Sequence, residues 1–157
     1  MQEIERKFLV LSDAFKNKAS SKTLVLQGFL NTDPERTVRI RIMGEAAYIT
    51  VKGKSSPNGR SRFEWEHQIP LEDGQALLKL CEQPPMEKLR YQVPEGQHVF
   101  EVDEFLGANE GLRVAELELQ HEDDPVTTPE WLGREVTGEK KYYNSQLALK
   151  PYSTWKH

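Results

Sequence analysis

The chain has 157 residues, with 21 Lys and Arg against 25 Asp and Glu, a single Cys and a formal net charge of −4. That length suits one domain over residues 1–157, able to bury roughly two thirds of its unfolded surface without disulfide staples. The acidic balance excludes a surface built for nucleic acid, and no apolar run approaches the ~18 residues of a membrane span. The charged N-terminus does not fit the apolar region of a signal peptide, and the lone Cys81 suits a reducing compartment, so a cytoplasmic protein is expected.

Met1 to Val10 reads as a strand in which Glu3, Glu5 and Lys7 share one face and Ile4 and Phe8 the other. Ser12 is placed to cap a short helix through Ala14, Phe15 and Lys18. Thr23 to Leu30 is a second strand, followed by a turn at Asn31-Thr32-Asp33-Pro34. Val38 to Ile42 has the cleanest alternation in the chain and puts Arg39 and Arg41 on one face. Tyr48 to Lys52 aligns Tyr48, Thr50 and Lys52, and Gly53 to Gly59 reads as a mobile loop.

In Arg62 to Ile69, Arg62, Glu64, Glu66 and Gln68 oppose Phe63, Trp65, His67 and Ile69, whose large rings call for burial. Leu71 to Glu82 shifts to helical spacing, with Cys81 on its apolar side, and Pro84-Pro85 stops it. Lys88 to Tyr91 and Val99 to Asp103 read as hairpin strands around Pro94-Glu95-Gly96, and Arg113 to Gln120 as a further strand bearing Glu116 and Glu118. Thr128 to Leu132 is expected to open a short helix, and a last helix to begin near Thr137 and carry Leu147 and Leu149.

The ionic faces repeat from strand to strand. Glu3, Glu5, Glu64, Glu66, Glu101, Asp103, Glu116 and Glu118 supply acids in acid-x-acid pairs; Lys7, Arg39, Arg41, Lys52, Arg62, Lys88 and Arg90 supply cations. An open sheet with one wet face would also alternate, but its outer face would mix in more Thr, Ser, Gln and Lys. Stacked acids repel unless a positive charge sits among them, and a divalent cation with oxygen ligands is the natural one. Clustered Arg and Lys are relieved by a polyanion, for which the Arg fork suits phosphate. A closed barrel with a polar interior accommodates both sets.

These residues resemble the CYTH, or triphosphate tunnel metalloenzyme, superfamily. Its Glu-x-Glu-x-Lys strand is met by Glu3, Glu5 and Lys7. In family order follow Gln27-Gly28, Arg39-x-Arg41, Lys52, Arg62-x-Glu64-x-Glu66, Lys88-x-Arg90-Tyr91, Glu101-x-Asp103, Glu116-x-Glu118 and a closing Glu135-Val136-Thr137 with Tyr142 and Asn144. The resemblance implies an α+β fold: a closed antiparallel barrel of about eight strands with a charged lumen and flanking helices.

It also implies an enzyme acting on a triphosphate-containing small molecule with Mg2+ or Mn2+. Hydrolysis of inorganic triphosphate is the first expectation; conversion of ATP to cyclic AMP and hydrolysis of thiamine triphosphate are the alternatives. Lys7, Arg39, Arg41, Lys52, Arg62, Lys88 and Arg90 would bind substrate. Glu3, Glu5, Glu64, Glu66, Glu101, Asp103, Glu116 and Glu118 would hold metal, with Lys88 and Glu116 catalytic. No nucleic-acid or membrane partner is implied, and a homodimer is compatible. Phe29 departs from the family, whose close bacterial triphosphatases have a tyrosine there, paired with the lysine that corresponds to Lys88.

Other signatures are missing. Gly133 to Lys140 is a near miss for a phosphate-binding loop, with its Lys out of place. His67, His98, His121 and His157 lack zinc spacing, and Tyr142 and Tyr143 read as helix packing.

Overall fold

The computed structural model describes residues 2–156. Met1, where the first strand was expected to start, and His157 lie outside the described residues. Nine antiparallel strands run β1 (Gln2–Val10), β2 (Ser21–Asn31), β3 (Arg36–Met43), β4 (Ala46–Gly53), β5 (Ser61–Ile69), β6 (Met86–Glu95), β7 (His98–Phe105), β8 (Arg113–Glu118) and β9 (Leu132–Glu135). Their order is β5-β4-β3-β2-β6-β7-β8-β1-β9, and a further β5–β1 pairing closes eight of them into a barrel.

Closure depends on β1. One of its edges pairs with β8 from Glu5 to Leu9. The other is shared: Gln2 to Ile4 pair with β5, and Phe8 and Val10 with β9. Because the side chains of a strand alternate between faces, the register puts Glu5 opposite Glu118, Lys7 opposite Glu116, Lys52 opposite Glu64 and Arg90 opposite Asp103. Every ionic row therefore enters the barrel from a different strand.

The outer faces are covered unequally. Phe8, Tyr91, Val102, Ala115 and Leu117 pack with Phe15, Trp131 and Leu132, so the main core lies outside the barrel, beneath the Asp13–Lys18 3₁₀ helix and the segment leading into β9. Ser12 caps that 3₁₀ helix by accepting from the Ala14 N–H. Helix α1 (Leu71–Leu78) covers β3, β4 and β2. Its Gly74 approaches Ala47 so closely that an added Cβ would lie 2.5 Å from the Ala47 Cβ.

A second apolar cluster closes one end of the lumen. β1, β2, β4 and β7 finish at that end, and β3, β5, β6 and β8 begin there. Its inward-facing Met86, Phe105 and Val114 pack against Val136, Tyr142 and Leu147 of the C-terminal segment. That segment holds a 3₁₀ turn, Lys140–Tyr142, and helix α2 (Asn144–Leu149).

Several local expectations are corrected. Thr128 to Leu132 is not a helix: buried Trp131 packs on Phe15 and Phe100, drawing the chain through a single turn into β9. The last helix starts later than Thr137, because Gly138 takes φ 80° and breaks the chain's path. Helix α1 stops at Leu78, leaving Cys81 half-buried beyond it against Gly28. Phe63 and Trp65 do face away from the charges, but they stay 49 % and 39 % exposed, since α1 covers β2 to β4 and not β5.

The Gly53 to Gly59 segment, expected to be a mobile loop, makes specific contacts with the C-terminal part of the chain. Gly59, at φ 75°, lies against Gly138, where a Cβ would come within 2.3 Å of the Gly138 Cα. Asn58 and Arg60 bond to the Glu122 carboxylate and carbonyl.

Candidate active site

The barrel encloses a cavity of about 260 Å³. Every residue assigned to the site from sequence lines its wall except Asp103. That residue is 1 % exposed, and both its carboxylate oxygens are occupied: Arg90 donates to them at 2.8 and 2.9 Å, and Lys88 to one of them at 2.9 Å. The wall also contains residues that the alternation did not single out as site members: Thr50, Arg60, Tyr143 and Asn144. Thr50 shares the face of Tyr48 and Lys52 and was legible there. Arg60 and Tyr143 lie in irregular segments with no period to read, and Tyr143 is corrected from helix packing to the cavity wall.

The cations differ in what holds them. Arg39 and Arg41 both reach Glu66 Oε2, at 3.4 and 3.3 Å, and Thr50 Oγ1 donates to the same oxygen at 2.7 Å. Their Nε atoms are buried without hydrogen-bond partners among the described residues. Burial, reinforced by Arg39 and Arg90, lowers Arg41 to about 10, which leaves it charged at neutral pH. Arg62 donates to the carbonyls of Gly53 (2.9 Å) and Pro34 (3.3 Å), and Lys7 to that of Tyr142 (3.4 Å). The Tyr143 ring lies 5.8 and 5.2 Å from the two charges. Carbonyls and a ring orient these groups without neutralising them, which leaves the Arg62 charge available to an anion, while Lys7 also acts on Glu116 opposite it.

The acids are crowded. Lys52 bridges Glu3 (3.0 Å) and Glu64 (3.3 Å). Burial nevertheless raises Glu3 to about 7 against the pull of Lys52, helped by a hydrogen bond shared with Glu64. Burial also raises Glu5 well above the usual carboxylate range, with Glu116 and Glu3 adding to it. Glu116 goes the other way: burial opposes its ionisation, but Lys7, Arg90 and a hydrogen bond from Glu5 hold it low. Buried carboxyl groups that share protons are short of positive charge, and oxygen-only donors suit a hard divalent ion. Among the described residues no three acids converge as they stand; Lys52 is bound to both Glu3 and Glu64, and Glu66 is drawn onto the arginines.

The model of the CYTH domain family matches residues 1–150. The chain belongs to the CYTH family. This CYTH protein is 46 % identical over 156 residues to the inorganic triphosphatase of Acetivibrio thermocellus, an alignment spanning 99 % of this chain and 98 % of the relative. It is 38 % identical over 154 residues to the inorganic triphosphatase of Nitrosomonas europaea, spanning 95 % and 98 %. A solved structure described as the inorganic triphosphatase NE1496 is similar to it with a TM-score of 0.66 at 33 % identity, covering 94 % of this chain and 97 % of that one. The closed, eight-stranded antiparallel barrel is thus the fold that the family resemblance implied.

Lys88 sits deepest of the CYTH cations, 1 % exposed. Burial lowers it to about 7; Arg90 adds to that effect, and Asp103 opposes it. Phe29 also lines the cavity, opposite Arg39 in the β2–β3 register. With no hydroxyl there, Lys88 takes its partners elsewhere: Asp103 and Asn144, whose Oδ1 accepts from it at 2.8 Å.

Proposed function

We propose that this CYTH protein hydrolyses inorganic triphosphate to pyrophosphate and phosphate inside the barrel, with magnesium or manganese as its metal. The carrying observation is that Arg39 and Arg41 line the polar cavity of the barrel with both guanidiniums drawn to one oxygen of a single carboxylate, Glu66. Two guanidiniums on one carboxylate leave positive charge in excess, and a multiply charged phosphate balances it. Two relatives named inorganic triphosphatases, each aligned over nearly the whole chain, favour triphosphate over ATP cyclisation and over thiamine triphosphate.

In this reading Lys7, Arg39, Arg41, Lys52, Arg62 and Arg90 bind the phosphoryl oxygens. Glu3, Glu5, Glu64, Glu66, Glu101, Glu116 and Glu118 form the donor set for metal. Asp103, with both oxygens spent, supports Lys88 and Arg90. Phosphoryl transfer demands positioning and charge stabilisation more than covalent help, and both are built into the wall. The bound metal would neutralise phosphoryl charge and make the attacking water more acidic. As the water oxygen bonds to the terminal phosphorus, the bridging P–O bond breaks, its electron pair stays on the pyrophosphate, and the water's two protons leave on the phosphate, which gives one up to solvent as Lys88 is reprotonated. Lys88 hydrogen-bonds that departing oxygen and, with its pKa near 7, can pass it a proton.

A panel of inorganic triphosphate, ATP and thiamine triphosphate, each with Mg2+ and Mn2+, tests the reading. Phosphate and pyrophosphate released in equal amounts from triphosphate, at the highest kcat/KM of the panel, are expected. Cyclic AMP as the main product from ATP, or faster turnover of the thiamine ester, would overturn it.

A further inference from the structure

Lys88 owes its position to two elements besides its own strand. Its Nζ donates to Asp103 Oδ2 on β7 at 2.9 Å and to Asn144 Oδ1 at the start of α2 at 2.8 Å. The Phe105 ring lies 5.6 Å from the charge. An ammonium has three donors. With two spent, the third is left for the cavity that Lys88 lines.

Asn144 is itself oriented. Its Oδ1 also accepts from Gln27 Nε2 at 2.7 Å, and Gln27 is completely buried on β2. A side-chain amide can turn either its oxygen or its NH2 toward a neighbour. The Lys88 ammonium can only donate and so requires the oxygen there, and Gln27, donating to the same atom, holds the amide in that orientation.

We propose that Asn144, oriented by Gln27, is a positioning residue that works with Asp103 to aim the Lys88 ammonium at the bridging oxygen of the triphosphate. The C-terminal segment then serves the reaction as well as closing the barrel. The inference rests on the triphosphatase reading above and adds a role for α2 that the ionic strands do not contain. The hydrogen bonds place Lys88 and do not bind substrate, so their loss acts on kcat.

Steady-state hydrolysis of triphosphate by the full chain with Mg2+ or Mn2+ tests it, alongside thermal unfolding of each variant. Asn144→Ala is expected to lower kcat about tenfold or more with KM within about twofold of the unsubstituted protein. Asn144→Asp keeps an oxygen for both donors and is expected to restore kcat to within about threefold. In a Lys88→Ala background, Asn144→Ala should cost nothing further, because the group it positions is gone. A kcat for Asn144→Ala within twofold of the unsubstituted protein would overturn the proposal. So would an Asn144→Asp rate as low as that of Asn144→Ala, or losses that multiply in the double variant. Absence of turnover by the unsubstituted protein would remove the triphosphatase reading and this proposal together, whereas normal turnover with an indifferent Asn144 would remove this one alone.

Discussion

Glu5 and Glu116 lie inside the barrel and shift in opposite directions, as two interacting buried carboxyl groups do when only one of them holds a proton. Glu5 is the group pushed up, by burial and by its acidic neighbours, while Lys7 and Arg90 keep Glu116 ionised against its burial. The two residues therefore predict different consequences for the same substitution. Glu5→Gln replaces a neutral acid with a neutral amide and should leave metal-free stability within about 1 kcal/mol of the parent. Glu116→Gln strips Lys7 and Arg90 of a counter-charge and should destabilise the metal-free protein by about 3 kcal/mol or more. Both should abolish most hydrolysis. Urea unfolding in EDTA separates them, and equal losses of stability would contradict this assignment of the proton.

The pH dependence of metal-free stability follows from two further groups. Glu3 is raised from 4.5 to about 7, so between those values the folded chain holds a proton that the unfolded chain has released. Its contribution is present at low pH and lost as pH rises toward 7. Lys88 is lowered from 10.5 to about 7, so above 7 the unfolded chain holds the extra proton and stability rises with pH toward 10.5. Glu64, Asp103 and Glu116, all lowered, lose their contributions only in acid, as pH falls below their ordinary range. Glu5 and Glu118, also raised, act in the same direction as Glu3, so the melting temperature in EDTA should fall from pH 5 to 7 and recover at higher pH as the Lys88 contribution grows. A steady rise from pH 5 to 9 would contradict it.

Arg39 and Arg41 line the cavity and share one oxygen of Glu66. Each charge-assisted hydrogen bond to phosphate is worth about 1.5–3 kcal/mol, so Arg41→Ala should raise KM for triphosphate about 10- to 100-fold. Arg41→Lys should restore little, since a point charge cannot reproduce the planar fork. Steady-state kinetics with varied triphosphate checks both, and an unchanged KM would remove these arginines from substrate binding.

The residues that sequence revealed best are those whose geometry a strand dictates. Arg39 and Arg41, or Glu64 and Glu66, can share a face only if the chain is extended, and once β1 pairs with both β5 and β8 that face must be the inside. Asp103 obeyed the same alternation yet became a partner for Lys88 and Arg90, because periodicity gives a direction and not the neighbour met there. Tyr143 and Asn144 follow Gly138 and a 3₁₀ turn, where no period exists, and their place in the wall depends on the packing of Tyr142 and Leu147 into the barrel end. Strand β9 escaped notice for a related reason. Its four residues are too few for alternation to show, and one of them is Gly133, where a Cβ would lie 3.1 Å from the Leu9 carbonyl oxygen.

Diffraction from crystals grown with Mn2+ and triphosphate, with manganese located by its anomalous signal, bears most directly on the shared interior of acids and cations. The predicted result is manganese among the Glu3, Glu5, Glu64 and Glu116 carboxylates, with phosphoryl oxygens on Arg39 and Arg41. Manganese and triphosphate bound only on the outer surface, with the barrel interior unchanged, would contradict the account.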